Sequence, residues 1–86
     1  MIFERSKHFK KCYQALPDKI KKKVNKALFF MEKNPRHPSL NVEKLEGNEN
    51  IWSGRIDRDY RFTFQWIPGG VFLRKVGSHE NSYRKP

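Results

Sequence analysis

Arg55 and Arg61 are two guanidinium groups on segments that can pair as neighbouring strands. Residues 51–56 alternate Trp52, Gly54 and Ile56 on one side with Ser53 and Arg55 on the other. Asp57-Arg58-Asp59 makes a turn, and Tyr60, Phe62, Phe64 and Trp66 then alternate with Arg61, Thr63 and Gln65. A hairpin of that kind puts both arginines on the exposed face opposite the aromatic set. Guanidinium is planar, permanently charged and bidentate toward phosphate, so such a pair suits holding a phosphodiester and stabilising charge that grows on it. The simpler alternative is that the arginines solubilise the sheet or pair with Asp57 or Asp59.

His79 follows the last expected strand, just past Gly77-Ser78, and its imidazole titrates near neutral pH. There it can protonate a leaving 5′-oxygen or accept a proton from a nucleophile, and Tyr83 can add a hydroxyl to the same place. A surface histidine in a terminal tail is the competing reading. His8 and His37 read as structural or solvent-facing. Glu43, Glu46 and Glu49 lie just before the first long strand, and one of these carboxylates can serve as a general base beside the arginines. Asp57 and Asp59 could mimic a metal pair, but aspartate in a tight turn is favoured for its backbone hydrogen bonds.

Phosphodiester cleavage takes two broad routes. Metal-dependent nucleases need clustered carboxylates, and the sequence offers no convincing cluster of that kind. When RNA's own 2′-hydroxyl attacks the adjacent phosphorus, the protein need only align the backbone, move two protons and neutralise the phosphorane. Arginine, histidine, tyrosine and one carboxylate suffice for that chemistry, which applies to RNA and not to DNA.

Two kinds of element must position these groups. Ser6 is a plausible N-cap, and Phe9, Cys12, Tyr13 and Leu16 then recur at helical spacing up to Pro17. Pro17-Asp18 suits a second helix start, and Ile20, Val24, Ala27, Leu28 and Met31 repeat until Asn34-Pro35. A helical hairpin follows, then a polar connection over residues 36–41 and the strand hairpin already described. Pro68-Gly69-Gly70 makes a further turn, and residues 71–76 a further strand. Residues 1–4 can add an edge strand. The expected fold is a single α+β domain spanning residues 1–86, its helical hairpin packed on one face of a mainly antiparallel sheet.

Composition narrows the partners. Eighty-six residues are too few for two cores or a dinucleotide-binding fold. The formal charge of +10 points to a polyanion: nucleic acid, ribosome or an acidic protein. Residues 1–38 hold 11 Lys and Arg against 3 acids, so the excess sits on the helical half, as a solvated face or as an electrostatic footprint for RNA. Cys12 is a lone cysteine, and no Cys or His cluster has metal-ligand spacing. The sequence carries no long apolar span and no signal-peptide stretch, so a cytoplasmic location with no membrane partner and no cofactor is expected.

Leu45-Glu46-Gly47, the strand from Ile51 to Ile56 with Trp52 and Arg55, the Asp59-Tyr60-Arg61-Phe62 strand, and Val76-Gly77-Ser78-His79 followed by Tyr83 occur in an order and spacing that resembles the RelE/ParE superfamily of bacterial toxin-antitoxin toxins. The resemblance covers nearly the whole chain. It implies a microbial-RNase-like fold, silencing by a cognate antitoxin and, in the RelE/YoeB-like branch, cleavage of mRNA at the ribosome. It places Arg61 at the scissile phosphate, His79 as general acid, Tyr83 as the residue that stacks or orients substrate, and Glu43 loosely on the general-base glutamate of YoeB-like members. Arg55 matches a basic position on the preceding strand, and Arg58, Lys44 and Arg84 complete the expected RNA-binding set. Where RelE itself groups basic residues along the strand this sequence has Ser53, which favours a Glu/His arrangement. The ParE-like branch, which inhibits DNA gyrase, and a non-catalytic basic RNA- or ribosome-binding module are the alternatives.

Overall fold

Gly70 begins the strand around which the sheet is organised. In the computed structural model, which describes residues 1–47 and 49–78, five strands lie in the order β1-β5-β4-β3-β2. They comprise β1 (Ile2–Arg5), β2 (Glu43–Lys44), β3 (Trp52–Arg55), β4 (Tyr60–Ile67) and β5 (Gly70–Ser78). The β2–β3–β4–β5 run is antiparallel, whereas β1 joins β5 in parallel. The approach at that edge leaves no space for a side chain at Gly70, because a Cβ there would run into the backbone carbonyl of Ile2.

Two helices cover one face. Helix α1 (Lys7–Gln14) is capped by Ser6, whose Oγ accepts from the backbone N–H of Phe9 at 2.9 Å, and α2 (Asp18–Lys33) starts directly after Pro17. Asp18 in the first turn and Lys33 in the last complement the helix dipole. Phe9 of α1 and Ile20, Val24, Ala27, Leu28 and Met31 of α2 are buried against Phe62, Phe64, Val71, Leu73 and Val76 of the sheet. The helix and strand boundaries fall within a residue or two of those expected from periodicity.

Three features depart from that expectation. Residues 36–41 are not merely a polar connection: Pro38–Leu40 form a 3-10 turn that drives Leu40 into the core. The stretch before the first long strand supplies an extra two-residue edge strand, β2. Finally, β5 carries a bulge. Thr63 pairs with Lys75 but Phe64 with Leu73, which leaves Arg74 as the additional residue. Val71 and Leu73 are two apart and Val76 three further on, so the bulge is what lets all three face the helices. The Arg74 carbonyl at this irregularity accepts the Ser6 hydroxyl at 2.7 Å, while the Ser6 N–H donates to the Leu73 carbonyl at 2.9 Å. One serine therefore starts α1 and anchors it to the bulge. No described helix is long and apolar enough to cross a membrane.

Candidate functional site

The register fixes which side chains share the face turned away from the helices. Gly54 pairs with Phe62 and Trp52 with Phe64 on the helix side, so the intervening pairs Ser53–Thr63 and Arg55–Arg61 lie on the open side. Gly54 is required there: a Cβ would collide with the Phe62 ring, which packs directly over it. Extending the pairings outward gives two rows. One runs Glu43, Ser53, Thr63, Lys75 across β2 to β5, and the next runs Arg55, Arg61, Gly77.

Arg55 and Arg61 are thus directly opposite each other, as expected, but their surroundings differ. Arg55 is exposed, whereas Arg61 is partly buried. Gly77 offers no side chain beside Arg61, and a Cβ built on it meets nothing within 4 Å. Sheet geometry sets Glu43 about 8 Å from Arg55 and about 12 Å from Arg61 between Cα atoms, close enough for their side chains to meet at one phosphodiester. The open face is not uniformly exposed. Ser53 and Thr63 in the middle of the first row are fully buried, and the Ser53 hydroxyl has no hydrogen-bond partner among the described residues. A polar but desolvated floor of this kind strengthens any charge interaction above it.

The hairpin tip is built by Asp57. Its Oδ1 accepts the backbone N–H groups of Asp59 and Tyr60, both at 2.9 Å, and its Oδ2 accepts Lys23 Nζ of α2 at 2.9 Å. Burial alone would raise its carboxyl pKa. The Lys23 hydrogen bond, the two backbone donors and the Lys23 charge outweigh that and hold it below the ordinary 3.8. This carboxylate therefore neutralises a helix lysine and not the arginines. Among the described residues, Arg55 reaches only the Asp57 carbonyl, through Nε at 3.4 Å.

The remaining expected residues are dispersed. Arg58 is exposed at the hairpin tip. Lys44 pairs with Trp52, so the register turns it toward the helix side, away from the two arginines, and it is not brought together with them. Glu46 and Glu49 lie beyond β2. His37 stacks on Phe30 at 4.6 Å and 6°, and its Nδ1 accepts the Ser39 N–H, a structural role; His8 is exposed on α1. His79, Tyr83 and Arg84 lie outside the described residues. Lys75, which the bulge places beside Thr63 on the open face, would by unbroken alternation from Val71 and Leu73 turn toward the helices. The uneven 71, 73, 76 apolar spacing was the available signal. Among the described residues no group of three or more His, Cys, Asp or Glu side chains is arranged to hold a metal ion.

No protein-family model and no curated protein matches the sequence. Solved structures do match in fold. A chain of the RelB-RelE antitoxin-toxin complex from Methanococcus jannaschii superposes with a TM-score of 0.76 at 19% identity, covering 96% of this chain and 99% of that one. YafQ from E. coli gives 0.77 at 12% identity over 93% and 94% of the two chains. A YoeB/ParE toxin from Agrobacterium tumefaciens gives 0.76 at 20% identity over 92% and 99%. Two helices on a five-stranded mixed sheet is thus the RelE-like toxin fold, and at these identities the likeness is one of fold.

Proposed function

We propose that this chain is the toxin of a toxin-antitoxin pair and an endoribonuclease that cuts mRNA at the ribosome by 2′-hydroxyl attack. The observation that carries the reading is the cross-strand Arg55–Arg61 pair on the open sheet face, with Glu43 in the adjacent row. Like charges directly opposite on a sheet repel, and a phosphate bridging them turns that repulsion into binding. Neighbours of the same fold that are themselves antitoxin-bound toxins support the partner assignment.

In this mechanism Arg55 and Arg61 seat the scissile phosphodiester. Glu43 takes the 2′-hydroxyl proton, the O2′–P bond forms as the P–O5′ bond breaks, and the departing 5′-oxygen receives a proton. His79 is assigned as that proton donor and Tyr83 as the residue orienting the base, both from the sequence. Arg61, the more buried of the two arginines, neutralises the phosphorane. Arg58 and Arg84 bind flanking backbone. The antitoxin is expected to cover the basic surface with an acidic, amphipathic segment.

The test is expression of the chain followed by mapping of RNA ends. Translation should stop, and fragments should carry 2′,3′-cyclic phosphate and 5′-hydroxyl ends. Arg61→Ala and His79→Ala should each lower cleavage by roughly 100-fold or more while leaving the circular dichroism spectrum unchanged. RNA that is bound but never cut, even with ribosomes, refutes the enzymatic reading, and a supercoiling defect with intact mRNA would instead indicate gyrase inhibition.

A further inference from the structure

At the tip of the β3–β4 hairpin, where α2 and the 3-10 turn meet the sheet, a pocket of about 240 Å³ has Lys23, Lys26, Arg55, Ile56, Phe30 and Asp57 among its lining residues. Its charges do not cancel. Lys23 and Asp57 neutralise each other at 2.9 Å, and the second oxygen of Asp57 is saturated by two backbone N–H groups. Lys26 and Arg55 remain. Among the described residues neither is in a salt bridge; Lys26 Nζ sits 5.7 Å from the Phe30 ring centroid, and Arg55 makes only its long bond to a carbonyl. The pocket therefore presents two cations above an apolar floor to which Ile56 and the buried Ala27 and Leu40 contribute. That combination fits a phosphodiester whose sugar packs on hydrocarbon, better than it fits a neutral ligand.

Arg55 is common to this pocket and to the open face, where it stands opposite Arg61. We propose that the pocket is a second phosphate subsite, in which Lys26 holds the backbone phosphate of single-stranded RNA that neighbours the linkage seated by Arg55 and Arg61, Arg55 lying between the two. The inference rests on the reading that RNA is the ligand of the open face. It adds that the strand leaves that face over the hairpin tip and runs onto α2, so that a defined helix lysine, not the general positive field of α2, contributes to binding.

The experiment measures binding of a short single-stranded RNA with 2′-O-methyl riboses, which cannot be cut through the 2′-oxygen, to the full chain by fluorescence anisotropy over a range of salt. Lys26→Gln should weaken binding about fivefold at low salt and reduce the magnitude of the slope of log affinity against log salt by about 0.7, the value for one phosphate contact on a single strand. Lys26→Arg should restore both. Lys22→Gln removes the same charge from an exposed position of α2 outside the pocket and should change the slope by less than half as much. Equal effects of Lys26→Gln and Lys22→Gln overturn the subsite, as does a failure of the RNA to bind at all. A Lys26-dependent affinity for a polyglutamate peptide without one for RNA would assign the pocket to an acidic protein segment and also overturn it. Cleavage of unmodified mRNA with ribosomes separates the two claims. If Arg61→Ala cuts as well as the parent but Lys26 still sets the salt slope, the catalytic reading falls and the subsite stands; the reverse pattern removes only the subsite.

Discussion

Asp57→Ala should destabilise the protein by about 2–3 kcal/mol. The carboxylate accepts two backbone N–H groups at 2.9 Å, closing the β3–β4 turn, and each such bond contributes about 1 kcal/mol net. The Lys23 pair adds only about 0.5 kcal/mol, because the lysine side chain is 41% exposed and its charge is screened even though the Asp57 side chain is only 21% exposed. A chain of this size has a total stability of roughly 4–13 kcal/mol, so the loss is a large share of it and should lower Tm by about 10–20 °C. Asp57→Asn keeps an oxygen for the turn but loses the charge, and should fall near 1 kcal/mol; Lys23→Met should fall near 0.5 kcal/mol. Urea titrations followed by the fluorescence of Trp52 and Trp66, which pack edge to face at 6.3 Å, report all three. The folded-state pKa of Asp57 lies below its ordinary 3.8, so its contribution is fully present above that pH and is lost as pH falls through the lowered folded value. The parent and Asp57→Asn curves should accordingly converge in acid. An Asp57→Ala loss below about 0.5 kcal/mol, or equal losses for Ala and Asn, would refute the turn-capping argument.

Gly54→Ala should cost about 1–3 kcal/mol, because the Phe62 ring over Gly54 is fully buried and cannot yield without repacking the core; thermal unfolding checks it, and a stability unchanged from the parent would remove the close-packing claim. Ser6→Ala removes both the α1 cap and the hydroxyl donated to Arg74, so a loss of about 1–2 kcal/mol is expected in urea, with Ser6→Thr recovering most of it.

The secondary structure and the pairing of the two arginines were legible because both depend on local periods. Phe9, Val24 and Met31 mark helix stripes at 3.6, and Trp52, Gly54, Phe62 and Phe64 mark strands at 2, whatever the rest of the chain does. The same alternation placed Arg55 and Arg61 on one face. Which face Lys44 takes was not legible in this way. Its face depends on a two-residue edge strand whose register is set by β3, and that strand is too short to announce itself. Lys75 was hidden by the bulge, which shifts the parity of β5 halfway along.

The amino-acid order alone thus determined the two long helices, every strand but β2, the excess positive charge and the chemistry available to the sheet, since each follows from neighbours a few residues apart. The tertiary structure alone decided that β1 runs parallel along β5, that Ser6 ties α1 to a bulge 68 residues away, and that Asp57 is neutralised by a lysine 34 residues away. It also decided that Ser53 and Thr63 form a desolvated floor and that Lys26 and Arg55 share a pocket. These are contacts between distant segments, and which partner a side chain meets across such a span depends on how whole elements dock. That docking is set by the shared core and by no local period.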